Sequence, residues 1–229
     1  MDLFEYDLED LPEFASIVCL GKRRSGKSFL TRDLAYNHFR SKKVKTCYLF
    51  SPTCNIAQNP MDFVPLEYRY PELDIEVIES ILKRQEYLIR MDPKGKYHTL
   101  IVMDDLMSSL DAKQRKVIDK LFITARHYQI SIICNYQYLK TDFTPMARDN
   151  CDILFIFQQN NLNNKIAIVE QYLSTSRDKN AGYEIIEKNA KDYQCLVVTN
   201  TSLSGNYQDF CFHYSASDTP KFKLGKEYC

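Results

Sequence analysis

The segment Gly21-Lys-Arg-Arg-Ser-Gly26-Lys27-Ser28 constrains the fold more than any other part of this 229-residue chain. It matches G-x-x-x-x-G-K-[ST] at every fixed position, between an apolar run at 15–20 and a helical pattern that starts near residue 25. The spacing follows from phosphate geometry. Consecutive backbone N–H groups must curl inward around an anion, and glycine permits both the curl and the close approach. A helix beginning there adds its positive end. Lys27 can then reach the β- and γ-phosphates, and Ser28 can offer a hydroxyl to Mg2+. The chain has only six glycines, so a chance match in a glycine-rich loop is a poor explanation. Gly21, Lys22, Arg23, Arg24, Ser25, Gly26, Lys27 and Ser28 form the candidate ATP-binding loop. The side chains of Lys22, Arg23 and Arg24 read as solvated, because the backbone already cradles the phosphates.

Short apolar runs alternate with helical patterns along the chain, the signature of an α/β domain with a mostly parallel sheet. The first helix should place Phe29, Leu30, Leu34, Ala35 and Phe39 on one face, with Arg40, Lys42, Lys43 and Lys45 at its end. Strands are expected at 46–50, 98–103, 130–134 and 152–157. Residues 53–73 carry Pro60, Pro65 and Pro71 without a clear period and read as a loop-rich excursion. Asp74 can cap a helix with Ile75, Ile78, Leu82 and Ile89 on its apolar face, and Asp111 with Gln114 makes a capping-box pattern ahead of another. Further helices are expected at 162–173 and 178–190, a strand at 195–199 and an edge strand at 210–214. The Asn/Gln-rich stretch 158–164 reads as an exposed loop.

Three further pieces carry chemistry. The run Leu100-Ile-Val-Met-Asp104-Asp105 ends an apolar strand in two carboxylates. The first suits the magnesium shell beside Ser28, and the second can polarise an attacking water. Gln137, at the end of the next strand, can hydrogen-bond the γ-phosphate or that water; it can equally be a polar residue that only ends a strand. Arg126 and Arg148 can each neutralise charge developing on a neighbouring subunit's γ-phosphate, against the plain alternative of a solvated surface arginine.

Composition narrows the class. Thirty Lys and Arg against thirty Asp and Glu give zero formal net charge. That excludes a protein holding nucleic acid by bulk positive charge and leaves a local patch or a ring of subunits. No apolar run reaches the roughly 18 residues of a membrane span, and the acidic start Met1-Asp2-Leu3-Phe4-Glu5 is no signal peptide. Eight dispersed cysteines without a C-x-x-C pair read as buried reduced thiols, which suits a cytoplasmic location without membrane insertion.

In this order, the phosphate loop at 21–28, Asp104-Asp105, Ala125-Arg126-His127, Gln137 and Arg148 before an apolar strand resemble the genome-packaging ATPases of large DNA viruses and their satellite viruses. These form the poxvirus-type branch of the FtsK–HerA superfamily, and the resemblance covers residues 15–160. It implies a P-loop NTPase of the additional-strand type, with the strand at 130–137 inserted between the phosphate-loop strand and the Asp104 strand. It also implies ATP and Mg2+ as cofactors and a homo-oligomeric ring that pulls double-stranded DNA into a preformed capsid. Capsid or portal vertex proteins would be partners, in the host cytoplasm, viral factory or virion.

By the same resemblance Lys27 and Ser28 match the nucleotide and magnesium positions, Asp104 the second magnesium position, Asp105 the base and Gln137 the sensor. Arg148 is preferred over Arg126 as the trans-acting arginine. Asp105 departs from the Glu common outside the viral branch. Residues 161–229 have no match and are expected to elaborate one domain spanning 1–229. Lys140, Lys165, Lys221, Lys223 and Lys226 are candidates for a basic pore patch. A P-loop kinase of a small molecule and a nucleotide-dependent interaction switch are the competing readings. The Asp-Asp pair with a downstream Gln suits water activation better than a kinase.

Overall fold

The computed structural model describes residues 2–40, 44–106, 110–174, 179–202 and 204–225. Eight strands form one sheet in the order β3-β2-β4-β5-β1-β6-β7-β8. They are β1 (Ser16–Leu20), β2 (Thr46–Phe50), β3 (Arg69–Tyr70), β4 (Thr99–Asp104), β5 (Ile130–Tyr136), β6 (Ile153–Ile156), β7 (Cys195–Thr199) and β8 (Cys211–Tyr214). From β3 to β6 every neighbouring pair is parallel; β7 and β8 join antiparallel. β5 pairs with β1 on one side and β4 on the other, the inserted strand that the resemblance implied. This is the additional-strand P-loop fold.

Alternation along the strands sends side chains to two separate cores. Val18, Leu20, Ile101, Met103, Ile132 and Cys134 face one layer of helices: α2 (Ile75–Met91), α3 (Ala112–Thr124), α6 (Leu162–Tyr172) and α7 (Lys179–Asn189). Ile17, Cys19, Leu100, Val102 and Ile133 face the other, covered by α1 (Lys27–Leu34) and its π-helical continuation through Phe39. A sheet buried on both faces needs apolar residues at every position, hence the unbroken runs in the sequence. The shorter α4 (Leu139–Asp142) and α5 (Pro145–Asp149) connect β5 to β6.

Local signals set the helix starts. Asp74 accepts from the N–H groups of Glu76 and Val77, and Asp111 with Gln114 closes a complete capping box. Thr144 accepts from Ala147 N–H, with Pro145 in the first turn of α5. The seven described cysteines are free and buried.

The structure differs from the sequence reading at four places. Phe29 is 41% exposed, so of the expected apolar face only Leu30, Leu34, Ala35 and Phe39 are buried in α1 and its continuation. The α2 face centres on Ile78, Ile81 and Gln85; Ile75, Leu82 and Ile89 flank it, half-buried. The stretch 53–73 is no mere loop, because Met61, Phe63, Val64 and Leu73 are buried and Arg69–Tyr70 adds an edge strand. Arg69 holds the excursion by donating to the carbonyls of Val64, Cys54 and Asp62. Finally, the stretch 158–164 is partly internal, with Gln159 and Asn164 buried. The 210–214 expectation holds: β8 ends the sheet, and its outer edge exchanges backbone hydrogen bonds with the segment Phe4–Tyr6. The expected basic residues Lys42 and Lys43, the helix position 178, Lys226 and Cys229 lie outside the described residues.

Candidate active site

Parallel strands deliver their carboxyl ends to one edge of a sheet, which is where open α/β folds bind ligands. Here β1 ends at the phosphate loop, β4 at Asp104-Asp105 and β5 at Asn135-Tyr136-Gln137. The strand order therefore brings together pieces that lie more than a hundred residues apart. In register, Asp104 stands beside Asn135 and Leu20 beside Tyr136.

The loop is a tight curl. Arg24 has φ 63° and Gly26 φ 108°, and Gly26 N-caps α1. A Cβ on Gly21 would lie 2.5 Å from Ser25 Oγ and 2.8 Å from Phe157 Cβ, so only glycine fits there. Ser25 Oγ is buried with no hydrogen-bond partner, an unsatisfied polar atom in the loop itself. Lys22, Arg23 and Arg24 are exposed. Lys27 Nζ donates to the carbonyls of Gly21 (2.7 Å) and Lys22 (3.0 Å), folding back on the loop it serves. Burial pulls the Lys27 ammonium below the usual lysine range, opposed chiefly by the charge of Asp104.

A chain of hydrogen bonds ties α1 to β4 through β5. Thr31 Oγ1 donates to Lys27 O (3.0 Å) and to Asn135 Oδ1 (3.2 Å), and Asn135 Nδ2 donates to Asp104 Oδ1 (2.7 Å). Burial pushes the Asp104 carboxyl above the usual carboxylate range, with the Asn135 hydrogen bond and the Lys27 charge pulling the other way. Asp105 is exposed, sits at φ 55° and accepts from Gln137 Nε2 at 2.9 Å. Gln137 is itself fixed at both backbone ends: its N–H donates to Asp142 Oδ2 (3.0 Å) and its carbonyl accepts from Asn164 Nδ2 (3.3 Å).

Arg126 and Arg148 stand apart from this group. Arg126 lines a cavity of about 170 Å3 with Ser16, at the start of β1, and Asp152, just before β6. That is the amino end of the strands, a strand's length from the phosphate loop. Arg126 is exposed; Arg148, in α5, is half-buried and its Nε is enclosed without a hydrogen-bond partner.

Sequence reasoning missed Thr31, Asn135, Gln159 and Asn164. Asn135 had a signal, a lone amide directly after an apolar run. Gln159 and Asn164 had none. Gln159 Nε2 donates to the Phe157 and Leu20 carbonyls, and its Oε1 accepts from Asn164 at 2.6 Å, while Asn164 Oδ1 accepts from Leu139 N–H. This relay links the ends of β1, β5 and β6 to α6.

Three of the candidate pore lysines are partnered, and Lys221 is exposed. Lys165 pairs with Glu187 at 2.9 Å and is only 21% exposed, Lys140 is 3.9 Å from Glu170, and Lys223 donates to Asp62 O. Lys165 is therefore not a solvated pore cation. Among the described residues no helix is long and apolar enough to cross a membrane.

Comparison with known proteins follows the same lines. An uncharacterized protein, L437, of Acanthamoeba polyphaga mimivirus is 28% identical over 98% of this chain and 80% of its own. The uncharacterized protein 088R of Invertebrate iridescent virus 3 is 26% identical over 92% of this chain and 80% of its own. Among solved structures, the genome packaging NTPase B204 from Sulfolobus turreted icosahedral virus 2, in complex with AMPPCP, superposes with TM-score 0.59. It is 19% identical, covering 85% of this chain and 96% of B204, a likeness of fold. The family described as Poxvirus A32 protein matches residues 4–225, nearly end to end, and the chain belongs to that family.

Proposed function

We propose that this protein is a viral genome-packaging ATPase that couples ATP hydrolysis to movement of double-stranded DNA into a preformed capsid. It would work as a homo-oligomeric ring at capsid or portal vertex proteins, in the host cytoplasm, viral factory or virion. The family, and the likeness to B204, a genome packaging NTPase, support this reading. The observation that carries it is the junction of three strand ends, where Asp105 meets Gln137 beside the Lys27–Thr31–Asn135–Asp104 chain.

In this reading the phosphate-loop N–H groups and Lys27 hold the β- and γ-phosphates, the lysine exchanging two carbonyl partners for oxyanions. The chemistry present fits a hard divalent cation. Asp104 keeps Oδ2 free of hydrogen bonds among the described residues, and Ser28 offers a hydroxyl at the first turn of α1. Magnesium held there would supply charge neutralisation on the transferred phosphate. Asn135 aims Asp104. Asp105, oriented by the Gln137 amide, takes the proton of the attacking water, and Gln137 senses the γ-phosphate. The exposed Arg126 is better placed than Arg148 to reach a neighbouring subunit.

The test is ATP hydrolysis by the whole protein with and without double-stranded DNA. Magnesium-dependent turnover that DNA stimulates, lost in Lys27→Ala, is expected. Phosphate transfer to a small acceptor without DNA dependence would replace the motor with a kinase, and nucleotide binding that only alters partner binding would replace it with a switch.

A further inference from the structure

A chain with no formal net charge still gathers positive charge on one helix. Between residues 112 and 128, α3 and the turn after it carry Lys113, Arg115, Lys116, Lys120 and Arg126 against one carboxylate, Asp119. Ile118, Leu121 and Phe122 bury the inner face of α3. Steps of three and four residues bring Lys113, Lys116 and Lys120 onto a single stripe. At about 100° per residue, that stripe stands opposite the buried one. All three lysines are exposed.

Nothing on the same side offsets this charge. Asp119 lies off the stripe and accepts from Thr144, just ahead of α5, while Asp111 is engaged in the capping box. None of the three lysines forms an ion pair among the described residues, whereas Lys140 and Lys165 each face a glutamate. Like charges three and four positions apart repel and weaken a helix. An anionic partner laid along the stripe removes that repulsion.

We propose that the outer face of α3 is where this protein holds the phosphate backbone of double-stranded DNA. From Lys113 to Lys120 the helix rises about 10 Å, a length over which one strand of a duplex presents about three phosphates. The row of lysines therefore matches the backbone in number as well as in sign. A lysine ammonium is a point charge that reads no base edge, which suits a grip on DNA of any sequence. A protein partner fits less well. Protein interfaces are depleted in lysine and rich in aromatic side chains, and the one large apolar side chain that α3 exposes is Ile123, at 37%. In the chain α3 lies between Asp105 and Arg126, so the DNA-holding face sits on the element that joins two groups proposed to act on ATP. The inference rests on the packaging-ATPase reading and gives that reading its DNA surface on this chain.

The experiment measures binding of the whole protein, with magnesium and AMPPCP, to fluorescent duplexes of two unrelated sequences over a range of salt. Lys113→Gln, Lys116→Gln and Lys120→Gln together should weaken binding of both duplexes alike. The fall of log K with log salt should become shallower by about 3 for each subunit in contact. ATP hydrolysis without DNA should stay at the wild-type level. Lys113→Arg, Lys116→Arg and Lys120→Arg together keep the charges and should bind DNA like the wild type. A glutamine variant with wild-type DNA affinity and salt slope overturns the inference and leaves the ATPase reading standing. If that variant instead loses binding to polyglutamate, the face belongs to an acidic protein. Loss of DNA-independent hydrolysis alongside DNA binding makes the lysines a prop of the fold and overturns it too. A wild type that binds neither duplex removes the DNA-motor reading together with this inference.

Discussion

Asp105 combines exposure, a left-handed backbone and one hydrogen bond from a neighbouring strand end. Each feature suits the base role proposed for it. Exposure lets water approach, the backbone turn carries the carboxylate off the strand line, and the Gln137 amide fixes its rotamer without supplying charge. Asn in its place still accepts from Gln137 but takes no proton. Asp105→Asn should therefore bind ATP normally while turnover falls by about 100-fold or more; steady-state hydrolysis beside nucleotide binding checks this, and normal turnover removes Asp105 from the base role. His98 offers a separate prediction. Burial, and then the nearby His38, pull its pKa from the usual 6.5 to about 4, while its Nε2 meets Ser131 Oγ at 2.8 Å. The unfolded chain protonates this histidine near pH 6.5 and the folded one only near 4. Stability is therefore full above 6.5 and is lost as pH falls through that window. Between pH 7 and 5 the loss is about 2 kcal/mol, and urea unfolding of His98→Gln should lack that share of the pH dependence.

Elements are joined at the site by side chains rather than by their own ladders. Asn164, in the first turn of α6, serves Leu139 N–H, the Gln159 amide oxygen and the Gln137 carbonyl at once. Removing it strands several buried polar groups, each costing about 1–3 kcal/mol. Asn164→Ala should lower the melting temperature by several degrees and reduce turnover more than ATP affinity, because Gln137 loses its anchor while the phosphate loop keeps its own. Calorimetry together with a kcat and KM measurement separates the two effects. The capping box of α3 was legible because Asp111 and Gln114 act within four residues. The Asn164 relay was not, since its partners are 5 to 27 residues away and no spacing rule joins them.

At the scale of the molecule, the two arginines decide what the chain needs beyond itself. Both lie toward the amino ends of the strands, away from the phosphate loop of their own subunit. An arginine that acts on a nucleotide from there must act on a neighbour's. If the proposed ring forms, mixing Lys27→Ala subunits with Arg126→Ala subunits should restore part of the ATPase activity that each lacks alone, because mixed rings would contain interfaces with an intact loop facing an intact arginine. The same mixture with Arg148→Ala tests the half-buried alternative. No recovery with either arginine variant, while assembly persists on sizing, removes the trans arrangement.

The sequence by itself determined the phosphate loop, the strands that bear Asp104 and Gln137, and the helices with local caps, since each of these is written in neighbouring residues. It also determined that the central strands are covered on both faces, because their apolar runs have no polar alternation. Tertiary structure alone decided that Asn135 faces Asp104, that Arg69 holds the 53–73 excursion, and that Lys165 meets Glu187 instead of solvent. It alone set Tyr193 beside Gly26, 167 positions along the chain. Three of the four share a physical reason: contacts between distant segments depend on strand order and register, and residue spacing encodes neither; the Arg69 contacts are set by how the excursion folds on itself.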